Sequence, residues 1–400
     1  MDLHFHFIKF YINFLILCSI IQKINSVLSF IYPQATTLSN DNILVIEQNG
    51  IYICDSTFNT IVKTLHTFSE EDKITTESKL SKTIIKKSSY EILIFSNYKL
   101  FIIDTYNGDL LYNSNDKLID VEPDYIDIAS YYDYGLYFTI NYLDNNNILQ
   151  IKYYEFIYVN NIELIDSESV SSIERNYDNN DYYFNFQQKG LSCNYIIDYS
   201  QYDDTYYFFI CFVIGNDGTD DYLLPLIIDY NDYDEIFFDD SYYTMDLFQV
   251  NDITQIKTDT SKDEDIVYIC YNTNDNKASC YEFYLRGEEG IFTLKKNFEK
   301  GCRQELYGMK VTYIYIKEDI FFTCSDIDSS LQAYSFNNEV NYLKYENCYS
   351  IYGYSIIYLG NSGKYYIISD VICPEGKIPF NRLINSNDFT PEIMKIEKTS

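Results

Sequence analysis

Cysteine is the residue whose spacing in this sequence most clearly indicates chemistry. Ten cysteines are present, of which Cys18 lies in an apolar N-terminal stretch and nine follow it. Eight of the nine form four pairs whose members are separated by a strand, a polar turn and a second strand, which favours local disulfides. The predicted bridges are Cys193–Cys211, Cys270–Cys280, Cys302–Cys324 and Cys348–Cys373. Spacing alone leaves other pairings open. Cys54 is the ninth cysteine of this set and has no partner in this scheme, and we expect it to be a buried thiol.

Histidine, a common catalytic base, is nearly absent. His4 and His6 fall in the N-terminal stretch, so His66, in the strand-like sequence TIVKTLHTF, is the remaining candidate. No G-x-S-x-G motif accompanies it, and paired cysteines leave no ligand set for a zinc site. The acidic turn 216–221 offers oxygen ligands but lacks the Asp-x-Asp-x-Asp-Gly pattern of calcium loops, which favours a solvated turn. We therefore predict no catalytic residue, no metal and no cofactor.

An enzyme of this composition would have to use carboxylates as its catalytic groups. The chain carries 60 Asp and Glu against 29 Lys and Arg. Pairs of Asp or Glu cleave glycosidic bonds, so a glycoside hydrolase acting with paired carboxylates is the alternative function. The sequence does not single out which of its many carboxylates would form the pair.

Acidic segments rich in tyrosine are the most distinctive surface feature of the sequence. Their carboxylates can steer a cationic partner, and their aromatic rings can supply rigid contact area. Ordinary acidic turns between Tyr-rich strands are the alternative interpretation. The candidate partner-binding residues are Tyr177, Asp178, Asp181, Tyr182, Tyr230, Asp232, Tyr233, Asp234 and Glu235.

The net charge of −31 limits the classes of partner. A surface this negative repels the phosphate backbone of nucleic acids, which excludes DNA and RNA as partners. It also disfavours docking on anionic lipid. These observations predict a non-catalytic interaction module that binds a basic extracellular protein or peptide.

The N-terminus has the features of a secretory signal peptide. Lys9 precedes an apolar stretch of 12 residues, 10–21, and Ser26 and Ser29 follow at plausible cleavage positions. A membrane-spanning helix needs about 20 apolar residues. We predict a signal peptide over 1–29 and a secreted or surface-associated mature chain without a membrane span; an uncleaved signal anchor is the alternative.

A strand–turn–strand unit recurs along the rest of the chain, and no stretch sustains a helical period. The units begin near Asn42, Glu91, Leu136, Thr205, Asp265, Asp319 and Lys364. Units of about 40 to 50 residues with three or four short strands are typical of β-propeller blades. A thin sheet with two apolar faces needs a neighbouring sheet on each side, and a ring of sheets supplies both.

The sequence therefore predicts an all-β chain with a single β-propeller of six or seven blades over 38–373. A loosely ordered C-terminal tail is expected over 374–400, and tandem β-sandwiches are the alternative fold. The stretch 92–114, ILIFSNYKLFIIDTYNGDLLYNS, resembles the blade hairpin of quinoprotein-like and other secreted propellers. That resemblance covers one or two hairpins and implies the fold alone.

Overall fold

The structure is a computed structural model of the chain. It describes residues 34–57, 60–74, 83–87, 90–157, 161–177, 180–198, 206–230, 236–238, 248–250, 253–261, 265–273, 277–286, 289–298, 309–314, 319–325, 331–335, 355–359, 364–373 and 376–385. Regular secondary structure in this part is β-strand throughout. None of the described residues belongs to a helix long and apolar enough to span a membrane. The predicted signal peptide, 1–29, lies outside the described residues.

The described residues form seven antiparallel sheets, numbered I to VII in chain order. Sheet I contains β1 (Gln34–Thr37), β2 (Ile43–Glu47), β3 (Gly50–Cys54) and β4 (Ile61–Thr67). Sheet II contains β5 (Thr83–Lys87), β6 (Glu91–Ser96), β7 (Lys99–Asp104) and β8 (Leu110–Asn113). Sheet III contains β9 (Tyr125–Asp133), β10 (Gly135–Leu143), β11 (Leu149–Ile157) and β12 (Asn161–Val170).

Sheet IV is the largest of the described sheets. It contains β13 (Ser172–Tyr177), β14 (Asn180–Asp198), β15 (Tyr206–Asn216), β16 (Asp221–Tyr230), β17 (Ile236–Phe238) and β18 (Gln249–Val250). Sheet V contains β19 (Ile253–Thr260), β20 (Ile266–Thr273), β21 (Ala278–Arg286) and β22 (Glu289–Phe298). Sheet VI contains β23 (Met309–Ile314), β24 (Asp319–Ser325) and β25 (Leu331–Ser335). Sheet VII contains β26 (Ser355–Leu359), β27 (Lys364–Cys373) and β28 (Gly376–Asn385).

One strand of each sheet packs against the corresponding strands of both neighbouring sheets. These inner strands are β1, β5, β9, β14, β19, β23 and β26. The series closes on itself, because β26 of the last sheet contacts β1 of the first. Sheets stacked two by two, as in tandem sandwiches, would not give each inner strand two such neighbours. The fold is a β-propeller, and the seven described sheets are its blades.

Alternation of side chains along the strands explains why each blade is apolar on both faces. In β6, Ile92 and Ile94 pack toward sheet I, whereas Leu93 and Phe95 pack toward sheet III. Separate core clusters of this kind fill the interfaces between sheets I and II, II and III, III and IV, and IV and V. Full burial of one such side chain contributes about 1.5–3 kcal/mol, so each interface stabilises the ring substantially.

The strands of each sheet are counted outward from its inner strand. The repeat positions predicted from the sequence coincide with the second strand, counted in this way, of every sheet. Predicted starts near Asn42, Glu91 and Leu136 correspond to β2, β6 and β10, and the other four correspond to β15, β20, β24 and β27. Among these strands, β2 and β6 are buried along their whole length, so their sequences are nearly continuous apolar runs. The prediction of one propeller is confirmed.

The C-terminal boundary of the predicted propeller needs correction. Residues 376–385 were expected to belong to a loosely ordered tail, but they form β28, which pairs with β27 along its full length. Backbone hydrogen bonding to the edge of β27 does not require apolar alternation, and an edge strand tolerates Pro379. The prediction of a loose tail is therefore wrong for these ten residues, and residues 386–400 lie outside the described part.

Candidate functional site

The antiparallel order of the strands divides the turns between two faces of the ring. With strands counted outward from the inner strand, the turns between second and third strands lie at one end of the sheet. The connections from a fourth strand to the inner strand of the next sheet lie at the same end. The face at this end carries the connection 114–124 and the turns 144–148 and 217–220. We call it the acidic face. The turns after the first and third strands lie at the opposite face.

A β-hairpin made by β13 and the first part of β14 stands on the acidic face. Residues Asn180–Asn185 of β14 pair with β13, whereas Leu191–Asp198 pair with β15 as the inner strand of the blade. The register shifts between Phe186 and Leu191, so β14 changes partners at this irregularity. Asn185 lies opposite Asn216, at the end of β15, and this pairing places the hairpin beyond the β15–β16 turn.

The base of this hairpin is anchored in the core. Phe184 and Phe186 are fully buried, and the ring of Phe184 lies edge-on to Tyr222 with centroids 5.1 Å apart. Lys189 Nζ forms an ion pair with Asp221 Oδ2 at 2.5 Å. Gln188 donates a hydrogen bond through Nε2 to the carbonyl of Asp144 in the neighbouring blade. The hairpin is thereby fixed relative to sheets III and IV.

The first predicted binding segment, Tyr177–Tyr183, forms the outer end of this hairpin. Tyr177 ends β13, and Asp178 lies outside the described residues. Asp181 is exposed, whereas Tyr182 is partly buried with its ring 6.2 Å from that of Phe184. Tyr183 is 60% exposed. A hydrogen bond to the Glu174 carboxylate, its cross-strand neighbour, raises the pKa of the Tyr183 phenol.

The second predicted segment is described only at its first residue. Tyr230 is the last residue of β16, which ends at the face opposite the hairpin, and β17 pairs antiparallel with it. Asp232, Tyr233, Asp234 and Glu235 lie outside the described residues, so their role as partner contacts stays a prediction.

Exposed carboxylates of the connection between β8 and β9 extend the acidic face toward sheet II. Asp116, Asp120, Glu122 and Asp124 are all exposed. Burial, together with Glu122 and Asp124, raises the pKa of the Tyr98 phenol. The pKa of the Tyr142 phenol is likewise raised by burial, together with Asp144 and Asp120. These carboxylates therefore lie over sheets II and III, where Lys117 pairs with Glu122 at 4.0 Å.

Asp217 adds a carboxylate that is held ionised at the β15–β16 turn. Its Oδ1 accepts hydrogen bonds from the backbone N–H groups of Thr219 and Asp220, each at 2.8 Å, and from the Thr219 hydroxyl at 2.7 Å. The hydrogen bond from Asp220 is the main reason that the pKa of Asp217 is below its usual value. The carboxylate thus caps its own turn, in agreement with a solvated acidic turn.

Two predicted disulfides are confirmed by the register of the strands. Cys193 and Cys211 lie opposite each other on β14 and β15, and Cys270 and Cys280 lie opposite each other on β20 and β21. Cys54 is a buried free thiol, and burial raises its pKa to about 12. Cys324 and Cys373 lie on β24 and β27. Cys302 and Cys348 fall outside the described residues, so the other two bridges stay predictions.

Comparisons with known proteins give similarity of backbone only. No family model and no curated protein matches the chain. The Dos1 propeller aligns over 91% of this chain and 86% of its own, with 10% identity and a TM-score of 0.44. The SapL1 lectin in complex with alpha methyl fucoside aligns over 80% and 97%, with 12% identity and a TM-score of 0.42. Sqt1 of Saccharomyces cerevisiae aligns over 86% and 94%, with 11% identity and a TM-score of 0.44. At these TM-scores the likenesses carry no argument about what the chain binds.

Proposed function

We propose that this chain is a secreted or surface-associated, non-catalytic module whose acidic face binds a basic protein or peptide. The observation that carries the proposal is the anchored hairpin of β13 and β14, whose exposed Tyr183 and Asp181 lie on the same face of the ring as the carboxylates of the connection 114–124. Long-range attraction by the carboxylates raises the association rate with a cation. An exposed aromatic ring on a fixed hairpin adds contact area at low entropic cost.

The two faces of the ring contribute unequally to this proposal. The segment Tyr177–Tyr183 and the carboxylates around Asp120 share one face, so a single partner can contact both. Tyr230, the described start of the second segment, ends β16 at the opposite face, so we do not assign the partner to that segment. We therefore assign the basic partner to the acidic face, with Asp181 and Tyr183 as contact residues.

The hydrolase alternative needs two carboxylates that share a pocket in the central channel. Asp127, on the inner strand β9, is the buried carboxylate of the described inner strands. Its Oδ2 accepts hydrogen bonds from Ser192 Oγ and Cys193 N, each at 2.9 Å, and its charged neighbour is Lys257. These surroundings suit a carboxylate that ties blades together, so they favour the binding module over the enzyme.

The compartment is part of the same proposal. Disulfides form and persist in oxidising environments, and the two bridges are compatible with an extracellular protein. The apolar stretch 10–21 supplies the targeting signal in this account.

A salt titration with a defined cationic probe tests the proposal. The probe is a fluorescent decalysine peptide, and a neutral Gly-Ser peptide of equal length is the control. Screening shortens electrostatic reach from about 30 Å at 0.01 M to about 8 Å at 0.15 M ionic strength. We expect saturable decalysine binding that weakens at least about tenfold over this range, with no binding of the control. Absence of binding, or binding that does not respond to salt, would contradict the proposal.

A further inference from the structure

Lysine side chains converge in the central channel of this acidic protein. Lys86 on β5 donates hydrogen bonds from Nζ to Asn194 Oδ1 at 3.0 Å and to the carbonyl of Cys193 at 3.2 Å. Both acceptors lie on β14, so the side chain passes sheet III to reach sheet IV. Lys257 on β19 lies close enough to Lys86 for their charges to interact. Inner strands of four consecutive blades therefore contribute polar groups to one place.

The neutral groups around these lysines form a buried hydrogen-bond network. Ser192 Oγ and Thr258 Oγ1 are 2.8 Å apart, and Asn194 Nδ2 donates a hydrogen bond to Thr258 Oγ1. Ser192, Asn194 and Thr258 are all buried. The network fixes the hydroxyl and amide groups next to the lysines, so the surroundings of the two ammonium groups are organised before any ligand arrives.

The charges at this place do not balance within the described residues. Asp127 is the carboxylate that interacts with Lys257, and its Oδ2 is already hydrogen-bonded to Ser192 and to the backbone of Cys193. Among the described residues, neither Lys86 nor Lys257 has a carboxylate within ion-pair distance. Two ammonium groups thus face one carboxylate, giving a local positive charge in a chain whose net charge is −31.

Burial makes this excess charge costly. Desolvation lowers the pKa of Lys257, the nearby Asp127 opposes that effect, and Lys86 adds to it. Both lysines nevertheless keep some accessible surface, as expected for side chains that line a channel. A charge that is removed from water without a partner destabilises the fold unless a counter-charge compensates for it. The channel therefore needs an anion more than any other ligand.

We propose that the central channel binds a small doubly charged oxyanion, such as inorganic phosphate, between Lys86 and Lys257. The two ammonium groups supply charge-assisted hydrogen bonds to its oxygens. The site is independent of the acidic face, because it lies inside the ring and attracts the opposite charge.

Thermal unfolding of the full chain with inorganic phosphate tests this site. A ligand that binds only the folded state raises the melting temperature in proportion to the logarithm of its concentration. We expect phosphate to stabilise the chain, whereas sodium chloride of equal ionic strength does not. Equal stabilisation by both salts, or none by either, would overturn the proposal.

Matched lysine substitutions locate the effect. Lys257→Met and Lys86→Met each remove one ammonium group while keeping the apolar stem. The apparent affinity for phosphate, read from its stabilisation of the fold, should therefore fall at least about tenfold, or about 1.4 kcal/mol. Lys63→Met is the control, since Lys63 pairs with Asp109 on the surface. Lys86→Met leaves the interaction of Asp127 with Lys257 in place, so it suffices for the comparison if Lys257→Met, which removes the cation that faces Asp127, does not fold. Unchanged phosphate stabilisation in both channel variants would contradict the assignment.

Discussion

Cys193 on β14 lies directly opposite Cys211 on β15, with their Cα atoms 4.1 Å apart. The bridge joins the inner strand of sheet IV to its second strand at the level where the channel network begins. Because the closed loop is local, the bridge acts mainly by restricting the unfolded chain rather than by holding distant blades together.

Removal of this bridge should destabilise the protein by a predictable amount. The sequence separation is 18 residues for Cys193–Cys211 and 10 for Cys270–Cys280. Chain-entropy estimates for such loops are about 3 kcal/mol. We expect Cys193→Ala with Cys211→Ala to lower the free energy of unfolding in urea by about that amount. In dithiothreitol the difference between parent and variant should vanish, because both chains then lack this bridge and the Cys270–Cys280 bridge. A difference that persists undiminished in reductant would show that packing, not the bridge, is responsible.

His66 should titrate below the usual histidine range. Burial lowers its pKa from 6.5, Asp72 raises it and Lys99 lowers it further. The ring lies 4.9 Å from that of Phe101. Because the unfolded state takes up the proton first, the stability due to neutral His66 is complete above about pH 6.5 and declines as the pH falls below it.

Proton NMR of the imidazole measures this directly. We expect a midpoint below 6.5. Asp72→Asn should lower the midpoint further, because it removes the carboxylate that favours the imidazolium. Since Asp72 also accepts a hydrogen bond from Lys99 at 2.8 Å, Lys99→Met is a useful comparison and should move the midpoint upward. A midpoint at or above 6.5 in the parent protein would refute the buried environment.

Closure of the ring can be tested by photo-cross-linking. Benzoylphenylalanine in place of Thr37, at the end of β1, should capture residues of β26 or β27, which contact β1. The same substitution at Thr64, exposed on the outer strand β4, is the matched control and should not reach them. Cross-links from Thr37 that stop at neighbouring sheets I and II would mean that the sheets do not form a closed ring.

The sequence predicted the second strands far better than the inner strands. Segments such as β6, EILIFS, are covered on both faces, so burial selects a continuous apolar run that is visible without a structure. Inner strands such as β5, TIIKK, and β19, ITQIKTDT, face the channel on one side and carry polar residues there. Polar residues interrupt their hydrophobic pattern, so these strands are not recognisable from the sequence.

The site was predictable only where its contacts are local. Cys270 and Cys280 meet across one hairpin, so their spacing indicated the bridge. Lys86 and Asn194 are 108 residues apart and meet because the ring closes around a channel, which no spacing rule anticipates. The position of Tyr183 on the acidic face depends on the irregularity in β14, which the sequence did not reveal.

The claim that one face of the ring binds a cation can be tested with two charge-matched double variants. Asp120→Asn with Asp124→Asn removes two exposed carboxylates from the acidic face, whereas Asp109→Asn with Glu163→Gln removes two exposed carboxylates away from it, one at the β7–β8 turn and one near the start of β12. The net charge of the two variants is identical, so any difference between them reports position. Exposed charges contribute about 0.2–1 kcal/mol each, so the loss of two should weaken decalysine binding by the first variant about two- to thirtyfold at low salt.

The decisive quantity is therefore the ratio of the two dissociation constants for decalysine. We expect the Asp120 and Asp124 variant to bind decalysine severalfold more weakly, and the Asp109 and Glu163 variant to stay close to the parent. Equal affinities in the two variants would mean that net charge alone attracts the probe, and would contradict a binding site on the acidic face.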